Sequence, residues 1–592
     1  MNSINDRVKK LRKLMAERDL EAYIVLTSDP HQSEYIADHF KTREFISGFT
    51  GSSGFVCVTK DKAILWTDGR YFIQANYELQ DSEFKLYKLG VEGFPSLIEF
   101  LKEEVPARSK IGLDGENVSY SLYRDLIEKL DDRLFMTEED LIDKIWEDRP
   151  SLPSEKVFYH DIKYTGINPK DRINKVREEM KNKGADYYLV TALDEIAYIL
   201  CLRGNDIDYN PVFLSYVLID KEKAYLYIDQ TKVDDEIRSI LNDNGVCVKA
   251  YDEIFKDLEQ LSGKELLIFD PSTANEKIIS KTNQVRRLKE TSIIKKFKAI
   301  KNETEIENQK NAYIKDGVAL VKFLNWIETG VKTGTINEWI ASEKLLEFRK
   351  QGSDFIEPSF ETISAYGSNA AMPHYAPSKF KHSKLTTGNF YLVDSGGQYL
   401  DGTTDITRTI SLGKLTETMK KHYTLTLKSH IGLASAVWKK GQTGYFLDAF
   451  ARAPLYKYMI DFNHGTGHGV GYFLNVHEGP QNISYRYSPV AIEPGMVTSI
   501  EPGIYIEGSH GIRIENIALC VEKGKNEFGE FLEFEMLSYV PLDTRPVITE
   551  MLTDEELDWL NDYNKTTYEK LSPYLTGNDL KYLEESTKKL ER

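Results

Sequence analysis

An internal repeat constrains the fold of this chain more than any other feature of its 592 residues. The stretch from Arg7, RVKKLRKLMAERDLEAYIVLTSDPHQSEYIA, matches in pattern the stretch from Arg172, RINKVREEMKNKGADYYLVTALDEIAYIL. Each opens with apolar residues at helical spacing and continues into a short apolar run typical of a buried strand. Further on, KAILWTDGRY from Lys62 lies over KAYLYIDQTK from Lys223. The repeat therefore predicts two α/β domains of about 150 residues each.

The domain boundaries follow from composition and from a helix-capping signal. Two prolines and several polar residues in WEDRPSLPSEKVFYH interrupt the periodic pattern, which places the first boundary near Pro153. Asn302 is a candidate helix cap with Glu305 three positions on, which places the second boundary near Lys301. The predicted domains are residues 1–153, 154–301 and 302–592.

The third domain has a different pattern from the first two. NFYLVDSGGQYLDGTTDITRTISLG and VTSIEPGIYIEGSHGIRIENIALCV each alternate apolar and polar residues around glycine-rich turns, as β-hairpins do. Helical segments are predicted near 417 to 438 and near 444 to 459, and the last 50 residues read as closing helices. This domain is therefore predicted to be α+β with an antiparallel sheet.

The charge balance narrows the classes of partner. The chain has 93 acidic and 76 basic residues, a net charge of −17. Such a field repels phosphate backbones and anionic lipid, so we expect neither nucleic acid nor a membrane as a partner, and a small or cationic ligand fits better. The first 25 residues carry charges every few positions and no apolar signal segment, which favours a cytoplasmic protein.

Four acidic residues and one histidine of the third domain are spaced so that they can converge. Asp394 and Asp405 are eleven residues apart in the first predicted hairpin, and Glu501 and Glu515 are fourteen apart in the second. His468, in HGTGHGVG, adds an imidazole. Four carboxylates inside a sheet would repel one another by several kcal/mol unless cations held them together. The pattern therefore predicts a metal site.

The ligand types indicate which metals such a site prefers. Hard oxygen donors with one imidazole and no thiolate favour manganese, cobalt or magnesium over a structural zinc ion. Five ligands suit two ions better than one, and two adjacent ions lower the pKa of a shared water toward neutrality. Hydrolysis is the expected reaction.

Five segments carry a family resemblance: DSGGQYLDGTTDITRT, HGTGHGVG, NVHEGP, IEPGIY and GIRIEN. They resemble the signature segments of aminopeptidase P, in the pita-bread metallopeptidase family, and SDPHQSEYIA, GFTGSSG and WTDGRYFIQA resemble the first domain of its long form. The resemblance implies two creatinase-like N-terminal domains followed by a catalytic pita-bread domain with a curved antiparallel sheet. It also implies hydrolysis of the bond between an N-terminal residue and a following proline by a metal-bridging hydroxide.

The resemblance assigns a role to each predicted ligand. Asp394 resembles the carboxylate that chelates one metal, and Asp405 and Glu515 resemble the two bridging carboxylates. His468 and Glu501 resemble the ligands of the other metal, and Glu501 also resembles the general base and proton shuttle. All five positions are filled, so the expected cofactor is a pair of divalent ions, manganese first, with cobalt or zinc as alternatives.

Three further histidines are assigned to the substrate by the same resemblance. His374, in MPHYAP, and His477, in NVHEGP, resemble histidines that contact the substrate and stabilise the developing oxyanion. His464 resembles one that helps to form the substrate pocket. The expected partners are small peptides with proline in the second position, and a homodimer is the expected assembly.

Two arginines complete the predicted site. Arg513 stands two residues before Glu515, so in an extended strand it projects on the same side and can support that ligand. Arg70, in WTDGRY, can either reach the site from the first domain or form a solvated salt bridge.

Three alternatives remain from the sequence. A prolidase restricted to X-Pro dipeptides and a creatinase-like amidinohydrolase would share the fold, and a catalytically silent pita-bread module would bind peptides without cleaving them. Both the amidinohydrolase and the silent module are expected to lack metal ligands, and the intact ligand set argues against them.

Overall fold

The computed structural model describes residues 3–592. The chain forms two compact units: the first runs to Asp161 and continues over Ile167–Ile294, and the second comprises Ile162–Gly166 and Lys295–Arg592. Met1 and Asn2 of the predicted first domain lie outside the described residues. Within residues 3–592, every helix is too short or too polar to span a bilayer.

The first half of the first unit is one six-stranded sheet with helices. Its helices are α1 Ile4–Glu17, α2 Thr42–Ser47, α3 Phe72–Glu78, α4 Leu97–Glu104 and α5 Tyr120–Lys129. Its strands are β1 Leu20–Leu26, β2 Phe55–Thr59, β3 Ala63–Thr67, β4 Lys85–Lys88, β5 Lys110–Leu113 and β6 Leu134–Met136. They lie in the order β4-β3-β2-β1-β5-β6.

The second half repeats this arrangement. The helices of this part of the chain are α6 Ile162–Thr165, which belongs to the second unit, α7 Pro169–Asn182, α8 Leu193–Leu200, α9 Asp235–Asp243, α10 Glu253–Glu259, α11 Glu276–Ser280 and α12 Ile293–Ala299. Its strands are β7 Phe158–Tyr159, β8 Tyr187–Val190, β9 Leu202–Arg203, β10 Ser215–Ile219, β11 Ala224–Ile228, β12 Val246–Ala250, β13 Leu266–Phe269 and β14 Arg286–Lys289. The main sheet has the order β12-β11-β10-β8-β13-β14.

The two sheets confirm the α/β repeat predicted from the sequence. In the first, β1 pairs antiparallel with β2 and parallel with β5, and in the second β8 pairs antiparallel with β10 and parallel with β13. The matched helices bury matched faces: Val8, Leu11 and Met15 in α1, and Ile173, Val176 and Met180 in α7. Leu14, which the pattern also placed on this face, is only partly buried. The predicted boundary near Pro153 lies in a segment without regular structure, and the division into three domains stays a prediction.

The longest helix of the second unit begins at the capping signal that the sequence predicted. The Asn302 side chain accepts from the Glu305 amide at 3.0 Å, and the Glu305 carboxylate accepts from the Asn302 amide at 3.1 Å. This reciprocal cap opens a 28-residue helix. Besides α6 and most of α12, the helices of the unit are α13 Glu303–Gly330, α14 Glu338–Arg349, α15 Glu417–Ala434, α16 Gly444–Tyr456, α17 Asp554–Leu571 and α18 Gly577–Ser586.

All strand pairs of the second unit are antiparallel, as predicted. The strands are β15 Phe355–Pro358, β16 Ile363–Tyr366, β17 Asn389–Ser395, β18 Gly397–Tyr399, β19 Gly402–Thr403, β20 Ile406–Leu412, β21 Val437–Lys439, β22 Gly467–Gly469, β23 Glu478–Ile483, β24 Val497–Ile500, β25 Gly503–Ile506, β26 His510–Arg513, β27 Asn516–Asn526 and β28 Gly529–Met536. The largest sheet has the order β21-β28-β27-β24-β22-β23.

Each predicted hairpin proves to be an outer strand pair with a second strand pair, here called the ribbon, at its tip. β17 pairs with β20, and the chain between them forms β18 and β19, which pair with each other. β24 pairs with β27, and the chain between them forms the β25–β26 ribbon. The acidic residues predicted as ligands stand at or beside the break between the outer pair and its ribbon, where one strand pair ends and the next begins.

A buried ion pair joins α13 and α14 of this unit. Arg349 Nε on α14 lies 2.7 Å from Asp316 Oδ1 on α13, and both side chains are at most 2% exposed. Arg349→Met is expected to lower the free energy of unfolding of the second unit by about 3–5 kcal/mol, because Asp316 is left as a buried, uncompensated charge. Scanning calorimetry measures the loss. Lys344→Met, which removes an exposed ion pair with Glu347 on the same helix, is the control and should cost less than about 1 kcal/mol. Equal losses in the two variants would contradict the prediction.

Candidate metal centre

The five predicted ligands are carried by two strand pairs and the strand beside one of them. Asp394 is the penultimate residue of β17, and Asp405 directly precedes β20. Glu501 directly follows β24, and Glu515 directly precedes β27. His468 is the central residue of β22, which pairs with β24.

The strand register explains how residues far apart in sequence meet. Asp394 pairs with Thr407, and Asp405, two residues before Thr407, lies on the same face. Ile500 pairs with Asn516, so Glu501 and Glu515 each stand one step beyond the last pair. The Glu515 amide donates to the Thr407 carbonyl at 3.3 Å, which joins the two strand pairs.

The ligand side chains form one polar cluster. His468 Nε2 lies 3.4 Å from Asp405 Oδ2 and 3.5 Å from Glu501 Oε1. One ligand atom each of Asp405, His468 and Glu515 lie within 4.8 Å of one another. Asp394 is close enough for the charges of Asp405 and Glu501 to act on its pKa. The structure thus brings all five predicted ligands together.

Two observations fit this donor set to divalent cations. Asp394 Oδ1 is buried without a hydrogen-bond partner, and a buried carboxylate oxygen without a donor is costly unless a cation meets it. The two predicted bridging residues, Asp405 and Glu515, are buried, whereas His468 and Glu501 are about one fifth exposed. The cluster is therefore open on the side of His468 and Glu501.

The carboxyl groups repel one another in the protein without metal. Burial raises the pKa of Asp394 to about 6, with the Arg513 charge opposing the rise and the Asp405 charge adding to it. Burial and the charge of Asp405 hold the pKa of Glu515 well above its ordinary value. Burial also raises the pKa of Glu501, and the His468 charge only partly offsets this. Each of these three groups therefore loses its proton less readily than an ordinary carboxyl group, and bound cations would favour the charged forms.

The pKa of His468 is shifted in the opposite direction to that of an ordinary buried histidine. Burial by itself would lower its pKa, but the contact with Asp405 and the charges of Glu501 and Asp405 outweigh burial and raise the pKa to about 9. Its ring is oriented by Nδ1, which lies 2.9 Å from the Gly469 carbonyl, so that Nε2 faces the carboxylates.

Arg513 reaches the cluster from β26. Its Nε and Nη2 lie 3.1 and 2.5 Å from Asp394 Oδ2, and Nε also donates to Thr407 Oγ1 at 3.2 Å. Thr407 Oγ1 in turn donates to Glu515 Oε2 at 2.8 Å. Arg513 therefore supports Asp394 directly and Glu515 through Thr407, in accord with the place that its spacing predicted.

A hydrogen-bond chain connects Arg513 to His464. Arg513 Nη1 donates to the Tyr505 hydroxyl at 2.8 Å, and that hydroxyl lies 2.8 Å from His464 Nε2. His464 Nδ1 lies 2.7 Å from the Gly465 carbonyl, which can only accept. All three contacts are satisfied when His464 is neutral with its proton on Nδ1. His464 is thereby fixed in orientation relative to the ligand cluster.

The other predicted substrate residues occupy different surroundings. The ring of His477 stands 4.4 Å from that of His468, centroid to centroid, at 85°. His374 is half-buried and follows Pro373, whose carbonyl accepts from Arg513 Nη2 at 3.2 Å. Arg70 lies in the first unit and forms a two-point ion pair with Asp68, at 2.9 and 2.8 Å, so its role at the site stays a prediction.

Glycines let the strands around His468 approach closely. A Cβ at Gly467 would lie 1.9 Å from the Ser499 carbonyl oxygen, and one at Gly469 would lie 2.3 Å from the Glu478 carbonyl oxygen. Any side chain at either position would push β22 away from its neighbours. The glycines on both sides of His468 therefore allow β22 to pack closely against its neighbouring strands.

Sequence reasoning missed three polar residues of the cluster. Thr407 bridges Arg513 and Glu515, Tyr505 bridges Arg513 and His464, and Ser499 Oγ lies 3.3 Å from Glu501 Oε1. Side chains two residues apart on a strand point to the same face, so Thr407 and Ser499, each two residues from a predicted ligand, could have been predicted to lie beside the cluster. Tyr505 carried no such signal.

Family models match almost the whole chain. The model of metallopeptidase family M24 matches residues 307–522, and that of the C-terminal region of peptidase M24 matches residues 530–590. Two models of the creatinase/prolidase N-terminal domain match residues 7–145 and 148–305.

Named proteins are similar over the full length. Probable Xaa-Pro aminopeptidase P of Sordaria macrospora is 42% identical, covering 97% of each chain. Xaa-Pro aminopeptidase 1 of Dictyostelium discoideum is 41% identical, covering 97% of this chain and 94% of that one. The crystal structure of X-prolyl aminopeptidase from Caenorhabditis elegans, described as a cytosolic enzyme with a di-nuclear active site, has a TM-score of 0.96 at 34% identity and covers 100% of both chains.

The raised pKa values predict a stability that falls with pH in metal-free protein. His468 has a folded-state pKa of about 9 against an ordinary 6.5, so its contribution is complete below pH 6.5 and is lost as the pH rises through 9. The melting temperature of the metal-free protein should therefore fall between pH 6.5 and 9, and His468→Gln should flatten this fall. Thermal shift measurements across that range test it. His382→Gln, at an exposed position, is the control and should keep the slope. A slope that survives in His468→Gln would assign it to other groups.

Proposed function

The chain belongs to metallopeptidase family M24, and from this premise we propose that it acts as an Xaa-Pro aminopeptidase, hydrolysing the peptide bond between an N-terminal residue and a following proline. One observation carries the proposal: four carboxylates and one imidazole converge in a chain that matches an X-prolyl aminopeptidase structure over its whole length. The alternatives with lost ligands, an amidinohydrolase and a silent binding module, do not account for this convergence.

Five residues would hold two divalent cations: Asp394, Asp405, His468, Glu501 and Glu515. Asp405 and Glu515 are both buried and suit the bridging positions. Asp394 Oδ1, which has no hydrogen-bond partner, suits a terminal ligand. When bound, the cations would supply positive charge that lowers the pKa of water and polarises the scissile carbonyl.

Glu501 is the proposed general base. Its carboxylate is about one fifth exposed on the open side of the cluster, where it can accept a proton from water and return it to the departing proline nitrogen. Burial raises its pKa above the ordinary value for a glutamate, and His468 opposes the rise. A raised pKa makes the carboxylate a stronger base than an ordinary glutamate, which suits a proton shuttle.

Three histidines are proposed to act on the peptide. His477 stands against the ring of His468 and can donate a hydrogen bond to the oxyanion that develops at the scissile carbonyl. His374 is proposed to contact the same group. His464, held by Tyr505 and the Gly465 carbonyl, is proposed to shape the pocket for the peptide.

The proposed assembly is a homodimer. Large side chains at and just after the end of α16 are exposed, among them Tyr456, Tyr458 and Met459, and Met459 is 96% exposed. Exposed apolar patches of this kind are typical of protein interfaces, and a second copy of the chain is the proposed occupant. A cytoplasmic location is also proposed, because the Caenorhabditis elegans relative is described as cytosolic.

Manganese is the proposed native metal. Chelation is expected to abolish hydrolysis of an X-Pro-Y peptide, and Mn²⁺ is expected to restore it better than Mg²⁺ or Ca²⁺, because the site combines one imidazole with hard carboxylates. Rates are measured against added metal while elemental analysis counts the ions bound. Asp405→Asn serves as the matched variant and should recover neither ions nor activity. Full activity in protein that contains no detectable metal would refute the mechanism.

Proline at the second position should determine specificity. Proline has no amide hydrogen and a fixed φ, so a site that packs against its ring leaves no buried donor unpaired, whereas another residue would cost about 1–3 kcal/mol. We expect kcat/KM for X-Pro-Y to exceed that for X-Ala-Y by about 10²–10⁴-fold.

Peptide length separates this activity from that of a prolidase. The aminopeptidase should cleave X-Pro-Y as well as or better than X-Pro, and kinetics on a series of increasing length measure this. A strong preference for the dipeptide would favour prolidase. Equal turnover of alanine and proline peptides would reject both names and leave only a metal-dependent peptidase.

A further inference from the structure

The carboxylate of Glu478, the residue directly after His477, is buried between two lysine ammonium groups. Lys298 Nζ lies 2.7 Å from Glu478 Oε2, and Lys301 Nζ lies 2.5 Å from Oε1. All three side chains are at most 2% exposed. A buried ion cluster fixes its members strongly, because loss of one partner leaves the others as uncompensated charges.

The two lysines stand on a segment that is fastened to the sheet of the second unit. The Lys301 amide donates to the Gly495 carbonyl at 2.9 Å, and Ile300 pairs with Met496 as an isolated bridge. Lys301 Nζ also donates to the Lys298 carbonyl at 2.9 Å. The two ammonium groups are thus held in place by the sheet, and their ion pairs hold the carboxylate of Glu478.

The backbone of Glu478 lies against the strand of His468. Glu478 pairs with Gly469, and its carbonyl oxygen would be only 2.3 Å from a Cβ at that position. His477 extends from the adjacent position, and its ring meets that of His468. The ion cluster therefore fixes the chain one residue away from the imidazole proposed to stabilise the oxyanion.

We propose that Glu478 is a positioning residue for peptide hydrolysis, which with Lys298 and Lys301 holds the chain so that the His477 imidazole faces the scissile carbonyl. The inference rests on the proposed function, in particular on the role of His477. Since both oxygens of Glu478 are engaged by lysines, it acts through His477 and not on the peptide. A displacement of about 1 Å at such a group can lower turnover by about 10²-fold.

A double-mutant cycle tests this role in the manganese-loaded protein with an X-Pro-Y peptide. Glu478→Gln should lower kcat by about 10–100-fold with little change in KM, while elemental analysis still finds two ions per chain. In a His477→Ala background, the same substitution should lower kcat by less than about twofold, because a residue that acts only through His477 has nothing left to position.

Two further variants keep the test interpretable. Glu493→Gln is the matched control. Glu493 lies 2.8 Å from Lys296, which stands with Lys298 and Lys301 on residues 295–301, here called the lead-in segment. This pair is on the surface, so its loss should leave kcat unchanged. Lys298→Met leaves Glu478 and Lys301 as a neutral one-to-one pair and should fold even where Glu478→Gln does not. Lys298→Met should also lower kcat, and it should do so only when His477 is present.

The possible results are distinct. Equal losses of kcat from Glu478→Gln with and without His477, or loss of bound metal in proportion to kcat, would overturn the positioning role and leave the peptidase function intact. An undiminished kcat in His477→Ala would overturn the role of His477 and this inference with it. Failure of the wild-type holoenzyme to cleave X-Pro-Y would instead overturn the proposed function.

Discussion

Repulsion among buried carboxylates is the constraint on which the second unit of this protein depends. Arg513 approaches Asp394 with two nitrogen atoms, and Thr407 donates to Glu515. His468 stands between Asp405 and Glu501. These contacts compensate only part of the charge, since the pKa of Glu515 remains well above its ordinary value. Divalent cations held by these residues would complete the compensation, and the cluster would then serve as a centre for hydrolysis.

The strand architecture converts this constraint into a defined geometry. Each outer strand pair places its acidic residues at or beside the point where the chain continues into the ribbon. The contact of the Glu515 amide with the Thr407 carbonyl sets the two pairs side by side, and glycines on both sides of His468 allow β22 to approach its neighbours. The β25–β26 ribbon after Glu501 also brings Arg513 to the cluster. There Arg513 supports Asp394 directly and Glu515 through Thr407.

Buried polar contacts hold the parts of each unit in register. In the first unit, His31 of the first copy of the repeat lies 2.9 Å from the Thr191 carbonyl and 2.8 Å from the Tyr251 hydroxyl of the second. In the second unit, the lysines of the lead-in segment hold Glu478 beside His477. Such contacts are costly to bury unless they are satisfied, so they specify one arrangement over others of similar apolar burial. The position of His477, which is proposed to act on the peptide, is thereby tied to residues outside the proposed ligand set.

The sequence by itself determined whatever depends on near neighbours in the chain. Helical spacing around Val8 and Ile173 revealed the repeat, and the Asn302 cap marked the start of α13. The motifs around Asp394, Asp405, His468, Glu501 and Glu515 predicted the ligands through their resemblance to a family. The nested ribbons, the bridging roles of Thr407 and Tyr505, and the pairing of Glu478 with Lys298 were decided only by the tertiary structure. Glu478 and Lys298 are 180 positions apart, and no local period relates them. Periodicity reports which face of an element is buried, whereas the partner of a buried charge depends on which strands and segments pack together.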